Sequence, residues 1–522
     1  MPAEIELKLA LDPAAVRRLA QLPHVPAIAA AKRGRMKTAR VVSTYFDTAD
    51  GRLAREGIAL RLRRDGARWL QTVKGPPLPG AGGGLHARDE YEHRLAGPRL
   101  DAAHLATTPW HKLLARLQSR GELTAQFVTD FTRRTIPLAF ADGTRALLAI
   151  DTGSIRERRG SGRRVKVSEL EIEVEHGDVA RAFDLALALV DDWPVAVATA
   201  NKAERGYALV RGKPDGWELP VRAGTVPLPA DASAETALRA VAQECLQQIA
   251  ANTAGLLHDR DPEWVHQMRI GTRRLRSCLA LIAPMAPGGP FDAVIGETKW
   301  LANALGTARD WDVFAEQTLP PLAAEVAHDP AVAAGLQRLR RRVAVRRKAA
   351  RTAVQDVVRS RRFQRLLLTL GALIATPRFG APEATDGGAT GARAREFAAH
   401  LIARRHHKIR ARAASLAEGT AEERHAVRIA AKKLRYAAEF FAPLFAAKRT
   451  RVYLKRLGAL QDALGQFNDA ATATRLAAEL AGAHNAATVG AVGGWVAAHA
   501  AALRPELDRT WQRFAEAKPF WT

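Results

Sequence analysis

The sequence predicts an α+β protein of two domains, in which a closed antiparallel β-barrel precedes an all-α domain made of two repeated helical bundles. Three observations support this prediction. Segments within residues 1–210 alternate apolar and charged side chains with the period of a β-strand. Residues 211–232 are rich in proline and glycine, which is typical of a linker. Residues 233–520 are rich in Ala, Leu and Arg, and one helical pattern occurs there twice.

The composition restricts the class of protein. The chain has 522 residues, of which 47% are hydrophobic and 25% charged, as expected for a folded protein with several domain cores. Lys and Arg outnumber Asp and Glu by 79 to 54, and the resulting charge of +25 predicts a polyanionic partner. Two cysteines exclude a disulfide framework, and no run approaches the length of a membrane-spanning helix. We therefore expect a cytoplasmic protein.

The first strand is predicted at residues 4–8, where apolar and charged side chains alternate. Its charged face carries Glu4 and Glu6, whose carboxylates repel each other unless a cation lies between them. Oxygen ligands of this kind suit a hard divalent cation, and Lys8 on the same face can hold an anion bound to that metal. A solvated strand shows the same pattern by chance, so the following strands decide between the two interpretations.

Four later segments repeat the division into an apolar and a charged face: residues 60–63, 69–74, 88–92 and 169–174. With the charged faces outward, these strands would form an ordinary sheet with a solvated surface. Together they favour a closed barrel with the charged faces inward, because closure removes the sheet edges and leaves a lumen. Arginine, lysine and glutamate in such a lumen suit a short polyphosphate chelated to Mg²⁺ or Mn²⁺.

An ordered set of motifs in this half resembles the CYTH (triphosphate tunnel) family over about residues 1–210. The motifs are E-x-E-x-K, Y-F-D-T, L-R-L-R, T-V-K, R-x-E-x-E, F-T-R and E-L-E-I-E. Residues 201–207 are also similar to the closing S-K-x-x-R-G-Y of the family, with asparagine in place of serine. The family includes inorganic triphosphatases, thiamine triphosphatases and class IV adenylate cyclases. The resemblance implies an eight-stranded antiparallel barrel whose tunnel binds a triphosphate.

The resemblance also implies roles for individual residues. The expected metal ligands are all glutamates: Glu4, Glu6, Glu169 and Glu171. The expected phosphate-binding residues are cations: Lys8, Arg61, Arg63, Lys74, Arg133 and Lys202, with either Arg35 or Lys37. A second charged wall contributes Glu90 and Glu92, so that the expected catalytic set is Glu4, Glu6, Lys8, Glu90 and Glu92. Glu173 is either a ligand or a neighbour of one.

The helical half contains an internal repeat. Residues 266–276 recur as residues 425–435 at an offset of 159. A Leu-Gly pair and an aspartate within residues 305–310 recur at the same offset within residues 464–469. One offset without a gap predicts two equivalent units. Each is expected to be a bundle of about four helices, because an amphipathic helix hairpin alone cannot bury its apolar stripe.

Each repeated helix carries a basic face. The first copy spaces a histidine and three arginines at i, i+3, i+7 and i+10, which is one side of a helix: His266, Arg269, Arg273 and Arg276. The second copy repeats the spacing: His425, Arg428, Lys432 and Arg435. Cations on one face repel each other, so such a face either binds an anion or is simply solvated. The duplication favours a basic groove for a linear polyanion.

The pattern H-x-x-R-x-x-x-[RK]-[RK]-L-R in both copies resembles the CHAD domain over about residues 233–520, with repeats at about 233–380 and 395–520. In that family, two four-helix bundles line a basic channel for inorganic polyphosphate. The resemblance implies polyphosphate binding by ten residues: His266, Arg269, Arg273, Arg274, Arg276, His425, Arg428, Lys432, Lys433 and Arg435. Two further pairs match recurring positions and are expected to orient the ligand-binding residues: Arg309-Asp310 and Asn468-Asp469.

These observations predict an inorganic triphosphatase that depends on Mg²⁺ or Mn²⁺ and whose helical domain binds inorganic polyphosphate. The expected partners are tripolyphosphate and long-chain polyphosphate, without a specific nucleic acid and without a membrane. We expect the protein in the cytoplasm, in association with polyphosphate granules.

Three alternatives stay open. The first is a non-catalytic, granule-associated polyphosphate-binding protein, which the presence of Glu4, Glu6 and Lys8 argues against. The second is nucleic-acid binding, which the net charge allows but for which aromatic residues interleaved with the basic ones and a groove-reading motif are lacking. The third is an adenylate cyclase, which needs an adenine pocket for which no residues can be named.

Overall fold

A computed structural model of the chain describes residues 4–522 except 79–82, 159–161, 214–218, 288, 290, 376–391, 414–415, 417–418 and 481–485. The chain divides into two compact units, each assembled from segments that are not contiguous in sequence. The first unit comprises Met1–Arg222, Leu246–Trp264 and Val358–Gly380. The second comprises Ala223–Cys245, Val265–Val357 and Ala381–Thr522. Most of residues 381–394, between the two expected repeats, lies outside the described residues, and the domain boundaries expected from the sequence stay a prediction.

The first unit is built on an antiparallel sheet that closes on itself. Its strands are β1 (Glu4–Leu11), β2 (Lys32–Arg33), β3 (Lys37–Asp47), β4 (Ala59–Asp65), β5 (Arg68–Pro77), β6 (Leu85–Leu95), β7 (Thr124–Ala139), β8 (Arg145–Glu157), β9 (Arg164–His176) and β10 (Val195–Val197). The order of neighbours is β1-β6-β5-β4-β3-β7-β8-β9, and β1 also pairs with β9. Within the described residues this is a closed barrel of eight antiparallel strands, so that the fold predicted for the first half is confirmed. Short strands β2 and β10 pair with β7 and β1.

The apolar faces of the strands lie on the outside of the barrel. Leu7 and Leu9 of β1 and Leu170 of β9 belong to one buried cluster with Phe183 and Leu189 of the helix at Ala180–Asp192. Successive side chains of a strand point to opposite faces. Because helices cover the apolar face from outside, the charged face of the same strands lines the lumen.

Short helices connect the strands of the first unit. They are α1 (Pro13–Arg17), α2 (Pro26–Ala29), α3 (Arg52–Arg55), α4 (Ala102–Leu105), α5 (His111–Ser119), α6 (Ala180–Asp192) and α7 (Lys202–Val210), with a 3₁₀ segment at Leu19–His24. Asn201 caps α7, since its side chain accepts a hydrogen bond from the Glu204 amide at 3.0 Å. Gly206 allows α7 to approach the barrel closely, because a Cβ there would lie 2.1 Å from the ring of Phe127. This approach brings Lys202 into the lumen.

The rest of the chain is helical in its described part, which confirms the predicted all-α second domain. The helices are α8 (Ala234–Ala251), α9 (Thr253–His258), α10 (Glu263–Ile282), α11 (Phe291–Val313), α12 (Leu319–Glu325), α13 (Pro330–Arg359), α14 (Arg361–Ala375), α15 (Ala394–Arg412), α16 (Ala421–Phe441), α17 (Ala447–Leu480), α18 (Ala486–Ala502) and α19 (Arg504–Ala515). A π-helical segment, Phe314–Thr318, separates α11 from α12. The two repeated basic patterns lie on α10 and α16, and Thr420 and Glu423 form the capping box of α16.

One described stretch, Ala486–Ala515, is long enough to cross a membrane and contains an 18-residue window with a mean hydropathy of 1.4. It consists of α18, which has no charged residue, followed by α19 with its arginines and carboxylates. A single stretch of this kind is weak evidence for a membrane segment.

Candidate functional sites

Three buried carboxylates converge at one side of the barrel lumen. Asp151 of β8 and Glu169 and Glu171 of β9 each present an oxygen atom, and these atoms lie within 4.8 Å of one another. The side-chain amine of Lys202 contacts all three, at 2.6 Å from Asp151 and 2.9 Å from Glu171. Like charges at this separation require a cation between them. The position of the Lys202 amine shows that a cationic group fits among the three carboxylates.

Strand β1 connects this cluster to the opposite wall. Lys8 lies 2.8 Å from Glu6 and also contacts Glu171. Burial alone lowers the pKa of Lys8, but Glu171 and Glu6 more than offset it and hold that pKa well above its ordinary value. Glu4, at the start of β1, contacts Lys74 of β5. The charged residues of β1 therefore pair with residues of β9 and of β5.

Arginines complete the lumen. Arg133 of β7 donates two hydrogen bonds to the carboxylate of Asp151, at 2.8 and 2.7 Å, and also contacts Glu171. Arg61 of β4 lies 3.3 Å from Glu90 and donates a hydrogen bond to the Tyr45 hydroxyl. Both arginines line the lumen and are held by these partners, and guanidinium groups are suited to binding phosphate oxygens.

The lumen fits a hard divalent cation and a phosphate chain. The converging ligands on β8 and β9 are carboxylate oxygens, which suit Mg²⁺ or Mn²⁺ rather than a soft metal. Around them the cations offer several donors to phosphate oxygens. This donor set is the physical basis for assigning metal and phosphate binding to one cavity.

A second site lies in the second unit, where the repeated helices meet α11 and α17. A cavity there is lined by residues of both repeats: His266, Arg269, Arg309, Asp310, Val313, Phe314, Gln317, Thr318, Arg428, Asn468, Asp469, Thr472 and Ala473. We call it the groove. The equivalent arginines Arg269 and Arg428 face it together, as expected from the duplication, and so do the equivalent aspartates Asp310 and Asp469.

Lys432 shows that positive charge is in excess beside the groove. Burial, and after it the charges of Arg273, Arg428 and Arg269, lower the pKa of Lys432 from its ordinary value of 10.5 to about 6. Asp469 opposes this shift but does not cancel it. Burial and the neighbouring arginines thus act together against positive charge on Lys432, and a nearby anion would oppose the effect of the arginines.

Comparison with known families identifies both domains. A CYTH-domain family model matches residues 2–207, and a CHAD-domain family model matches residues 240–478. The chain joins a CYTH domain to a CHAD domain.

The individual relatives match different parts of the chain. An inorganic triphosphatase of Haemophilus influenzae is 29% identical over 216 residues, which are 40% of this chain and 55% of that protein. The match thus spans about half the length of this relative. An uncharacterized protein of Mycobacterium tuberculosis is 28% identical over 462 residues, covering 82% of this chain and 81% of the relative. The crystal structure of the CHAD domain from the plant Ricinus communis is 35% identical, with a TM-score of 0.51, and covers 58% of this chain and 98% of that domain.

In the CYTH domain, the structure brings most of the predicted residues together. The lumen is lined by Glu4, Glu6, Lys8, Arg61, Arg63, Lys74, Arg133, Glu171 and Lys202. Glu90, Glu92 and Glu169 join through ion pairs with lining residues: Glu90 with Arg61 and Lys74, Glu92 with Arg63, and Glu169 with Lys202. Arg35 and Lys37 are exposed and do not line the lumen in the described structure.

Sequence reasoning missed several residues of the CYTH site. Asp151 is buried at the centre of the carboxylate cluster, and Arg205 of α7 lies 3.3 Å from Glu169. His86 of β6 lines the lumen opposite Glu6. The only sequence signal for Asp151 is one charged residue ending an apolar strand segment. Whether Glu173 is a metal ligand or only a neighbour of one stays open. Burial, and after it the nearby carboxylates of Glu4 and Glu6, raise the pKa of Glu173 to about 7.

In the CHAD domain, the predicted residues separate into two groups. His266, Arg269 and Arg428 line the groove, and Arg273 and Lys432 lie within electrostatic range of them. The others do not line it. Arg274 pairs with Glu244 at 2.9 Å, Arg435 pairs with Glu439 at 2.6 Å, Arg276 is half-buried, and His425 and Lys433 are exposed.

Proposed function

We propose that the CYTH domain hydrolyses inorganic tripolyphosphate with Mg²⁺ or Mn²⁺ and that the CHAD domain binds inorganic polyphosphate. The observation that carries the first half is the convergence of Asp151, Glu169 and Glu171 beside Lys8 and Lys202 in a closed lumen. The inorganic triphosphatase activity of the Haemophilus relative supports this choice of reaction.

The carboxylates of the lumen would hold the metal. Asp151, Glu169 and Glu171 form the central set, and Glu6 is linked to it because both Glu6 and Glu171 contact Lys8. A bound Mg²⁺ or Mn²⁺ polarises a phosphoryl oxygen and offsets charge that develops in the transition state. Glu4 is the remaining candidate ligand, and it is paired with Lys74.

The cations of the lumen bind and orient the triphosphate. Arg133 and Arg61 offer guanidinium forks, while Lys8, Lys74 and Lys202 offer single amines. Glu90 fixes Arg61 and Lys74, at 3.3 and 3.2 Å, so that these donors are in place before the substrate arrives. Because the barrel surrounds the chain of phosphates, bulk water has little access and each of these contacts is strengthened.

The excess positive charge in the groove supports polyphosphate binding by the CHAD domain. A linear polyanion supplies many closely spaced negative charges without apolar surface, which suits a cavity lined by Arg269, Arg309 and Arg428 with Arg273 and Lys432 nearby. We further propose that this binding brings the protein to polyphosphate deposits in the cytoplasm.

Phosphate release tests the proposed reaction. The full chain is expected to release orthophosphate from tripolyphosphate with Mg²⁺ or Mn²⁺, and Glu6→Gln is expected to slow this release at least about hundredfold. Glu56→Gln is the matched control, since Glu56 is an exposed glutamate paired with Arg52 outside the lumen. Mn²⁺ binding and the thermal unfolding of each variant separate loss of a ligand from loss of the fold.

The alternative function has its own outcome. If the native chain binds polyphosphate but releases no phosphate with either metal, then it is a non-catalytic, granule-associated binding protein. If the release does not depend on the divalent metal, then the assignment of the carboxylate cluster is wrong.

A further inference from the structure

Two glycines occupy equivalent positions of the repeat in the middle of long helices. Gly306 lies in α11 and Gly465 in α17, separated by the same offset of 159 residues as the basic patterns. Glycine in a helix interior lowers stability relative to alanine, because its backbone loses more conformational freedom on folding. Glycine at the same position of both repeats therefore calls for a physical explanation.

Packing within the protein does not explain these glycines. A Cβ on Gly465 would meet no heavy atom of the described structure within 4 Å beyond its own stretch of helix. A Cβ on Gly306 would meet only the Nε atom of Arg269, at 4.0 Å. The described protein therefore has room for alanine at both positions, and the reason for glycine lies outside its own packing.

Both glycines share a helix face with the groove. Residues three, four and seven positions further along a helix lie on the same face as the starting residue. After Gly306 these are Arg309, Asp310 and Val313, and after Gly465 they are Asn468, Asp469 and Thr472. All six line the groove. Each glycine therefore lies on the groove-facing side of its helix, about one turn before the residues that line the groove.

The groups opposite this floor are cations that lack full compensation. Arg269 provides the atom nearest to Gly306. The Nε atom of Arg428 is buried and has no hydrogen-bond partner in the described structure. We infer that Gly306 and Gly465 keep two bare helix surfaces against which a linear phosphate chain lies, so that its oxygens reach the groove arginines. This inference rests on the proposed polyphosphate binding and names two residues that fix how the chain fits.

Glycine matters here because it sets the distance between the phosphate chain and the groove arginines. An added methyl group would hold the phosphate chain away from the helix and disturb its position between the helix and the arginines. Coulombic attraction falls with separation, and a charge-assisted hydrogen bond is lost when its geometry changes. Affinity is therefore expected to fall on substitution even though the helix itself becomes more stable.

Opposite changes in stability and affinity make the test specific. Gly306→Ala and Gly465→Ala in the full chain are each expected to weaken binding of a polyphosphate of defined length roughly tenfold. Both are expected to raise the thermal unfolding midpoint by about 2 °C. Calorimetric titration and thermal unfolding give the two quantities on the same samples.

The matched control is Gly296→Ala. Gly296 lies in the same helix α11, is exposed, and would also meet no atom within 4 Å with a Cβ, but it does not line the groove. This variant is expected to show the same thermal shift with unchanged affinity. Native affinity in Gly306→Ala and Gly465→Ala, or an equal loss in Gly296→Ala, would overturn the inference. Failure of the native chain to bind polyphosphate would overturn the proposed function of the CHAD domain, and the inference with it.

Discussion

The barrel lumen and the CHAD groove are both lined with lysine and arginine, yet they balance that charge differently. In the lumen, cations and carboxylates are matched. The cations are Lys8, Arg133, Lys202 and Arg205, and their partners are Glu6, Asp151, Glu169 and Glu171. The groove is lined by two carboxylates, Asp310 and Asp469, and three arginines, Arg269, Arg309 and Arg428, and two more basic residues, Arg273 and Lys432, lie close enough to interact with these arginines electrostatically.

Two lysines express this difference as opposite pKa shifts. Burial lowers the pKa of both Lys202 and Lys432. For Lys202, the carboxylates of Glu169, Glu171 and Asp151 outweigh burial and raise the pKa above its ordinary value. For Lys432, the neighbouring arginines add to burial, and the pKa falls to about 6. The same side chain is thus stabilised as a cation in one site and destabilised in the other.

This difference suits the two proposed functions, a reaction site in the lumen and a docking site in the groove. In the lumen, the proposed metal and triphosphate would replace existing ion pairs, so only a ligand that satisfies both the carboxylates and the cations would gain free energy. In the groove, added negative charge relieves repulsion that is already present. We therefore expect the lumen to discriminate between ligands and the groove to bind polyanions according to their charge and fit.

The largest expected effect comes from removing a carboxylate of the lumen. Glu171→Gln leaves Lys8, Lys202 and Arg133 with less compensation in a buried site, since Glu171 contacts all three. The expected cost is about 3 kcal/mol in the free energy of unfolding of the barrel. This cost is measured by denaturant unfolding, with the fluorescence of the CYTH domain as the signal.

Two further variants test this prediction, one at a partly exposed glutamate and one that combines two changes. Glu92→Gln removes the ion pair with Arg63 at 3.5 Å, in a partly exposed position, and keeps an amide oxygen that can accept the hydrogen bond from the Thr72 hydroxyl, so little change is expected. Glu171→Gln combined with Lys202→Met is expected to lose less stability than the sum of the single changes, because the two groups form one network. Strict additivity would show that the lumen charges are not coupled.

At the groove, removing a basic residue is expected to raise the free energy of unfolding rather than lower it. Lys432→Met removes an amine whose charged form is destabilised by burial and by the neighbouring arginines, so the CHAD domain is expected to gain about 1 kcal/mol of stability. Polyphosphate affinity is expected to fall roughly tenfold, since one ligand contact is lost. Lys433→Met is the matched control, because Lys433 is adjacent and exposed. Destabilisation by Lys432→Met would mean that the charge imbalance inferred for the groove is wrong.

The alternation of charged and apolar residues predicted the barrel well but could not identify every residue of its lumen. The paired glutamates of β1 and β9 stand out because two neighbours on one strand face repeat the signal. Asp151 has no such neighbour, and only the register of β8 against β9, which places it opposite Glu169, brings it into the cluster. Residues that enter a site singly depend on tertiary structure, which a local pattern does not contain.

In the helical half, the spacing of the basic residues and the family motif differ over Arg274. The spacing i, i+3, i+7, i+10 includes Arg273 and excludes Arg274, whereas the motif includes both. In the structure, Arg274 does not line the groove, but pairs with Glu244 and lies over the ring of Phe440. Burial of a basic residue in this way needs a partner from a helix distant in sequence, which the sequence does not reveal.

The smallest expected effect is the pH dependence of binding at the groove. Lys432 faces Arg269 and Arg273 from α10, Arg428 from its own helix and Asp469 from α17. With a pKa of about 6, it is mostly neutral in the free protein at neutral pH. Phosphates beside it offset the arginines and raise this pKa back towards 10.5.

Between these two pKa values the complex holds more protons than the free protein, so polyphosphate affinity is expected to rise as the pH falls. The change is expected to stay below tenfold per pH unit, since less than one proton is taken up, and to level off below about pH 6. Titration calorimetry in buffers of different ionisation enthalpy measures the uptake directly. Lys432→Met is expected to abolish it and Lys433→Met to retain it. Equal uptake in both variants would assign the proton to another group and remove the contrast between the lysines of the two sites.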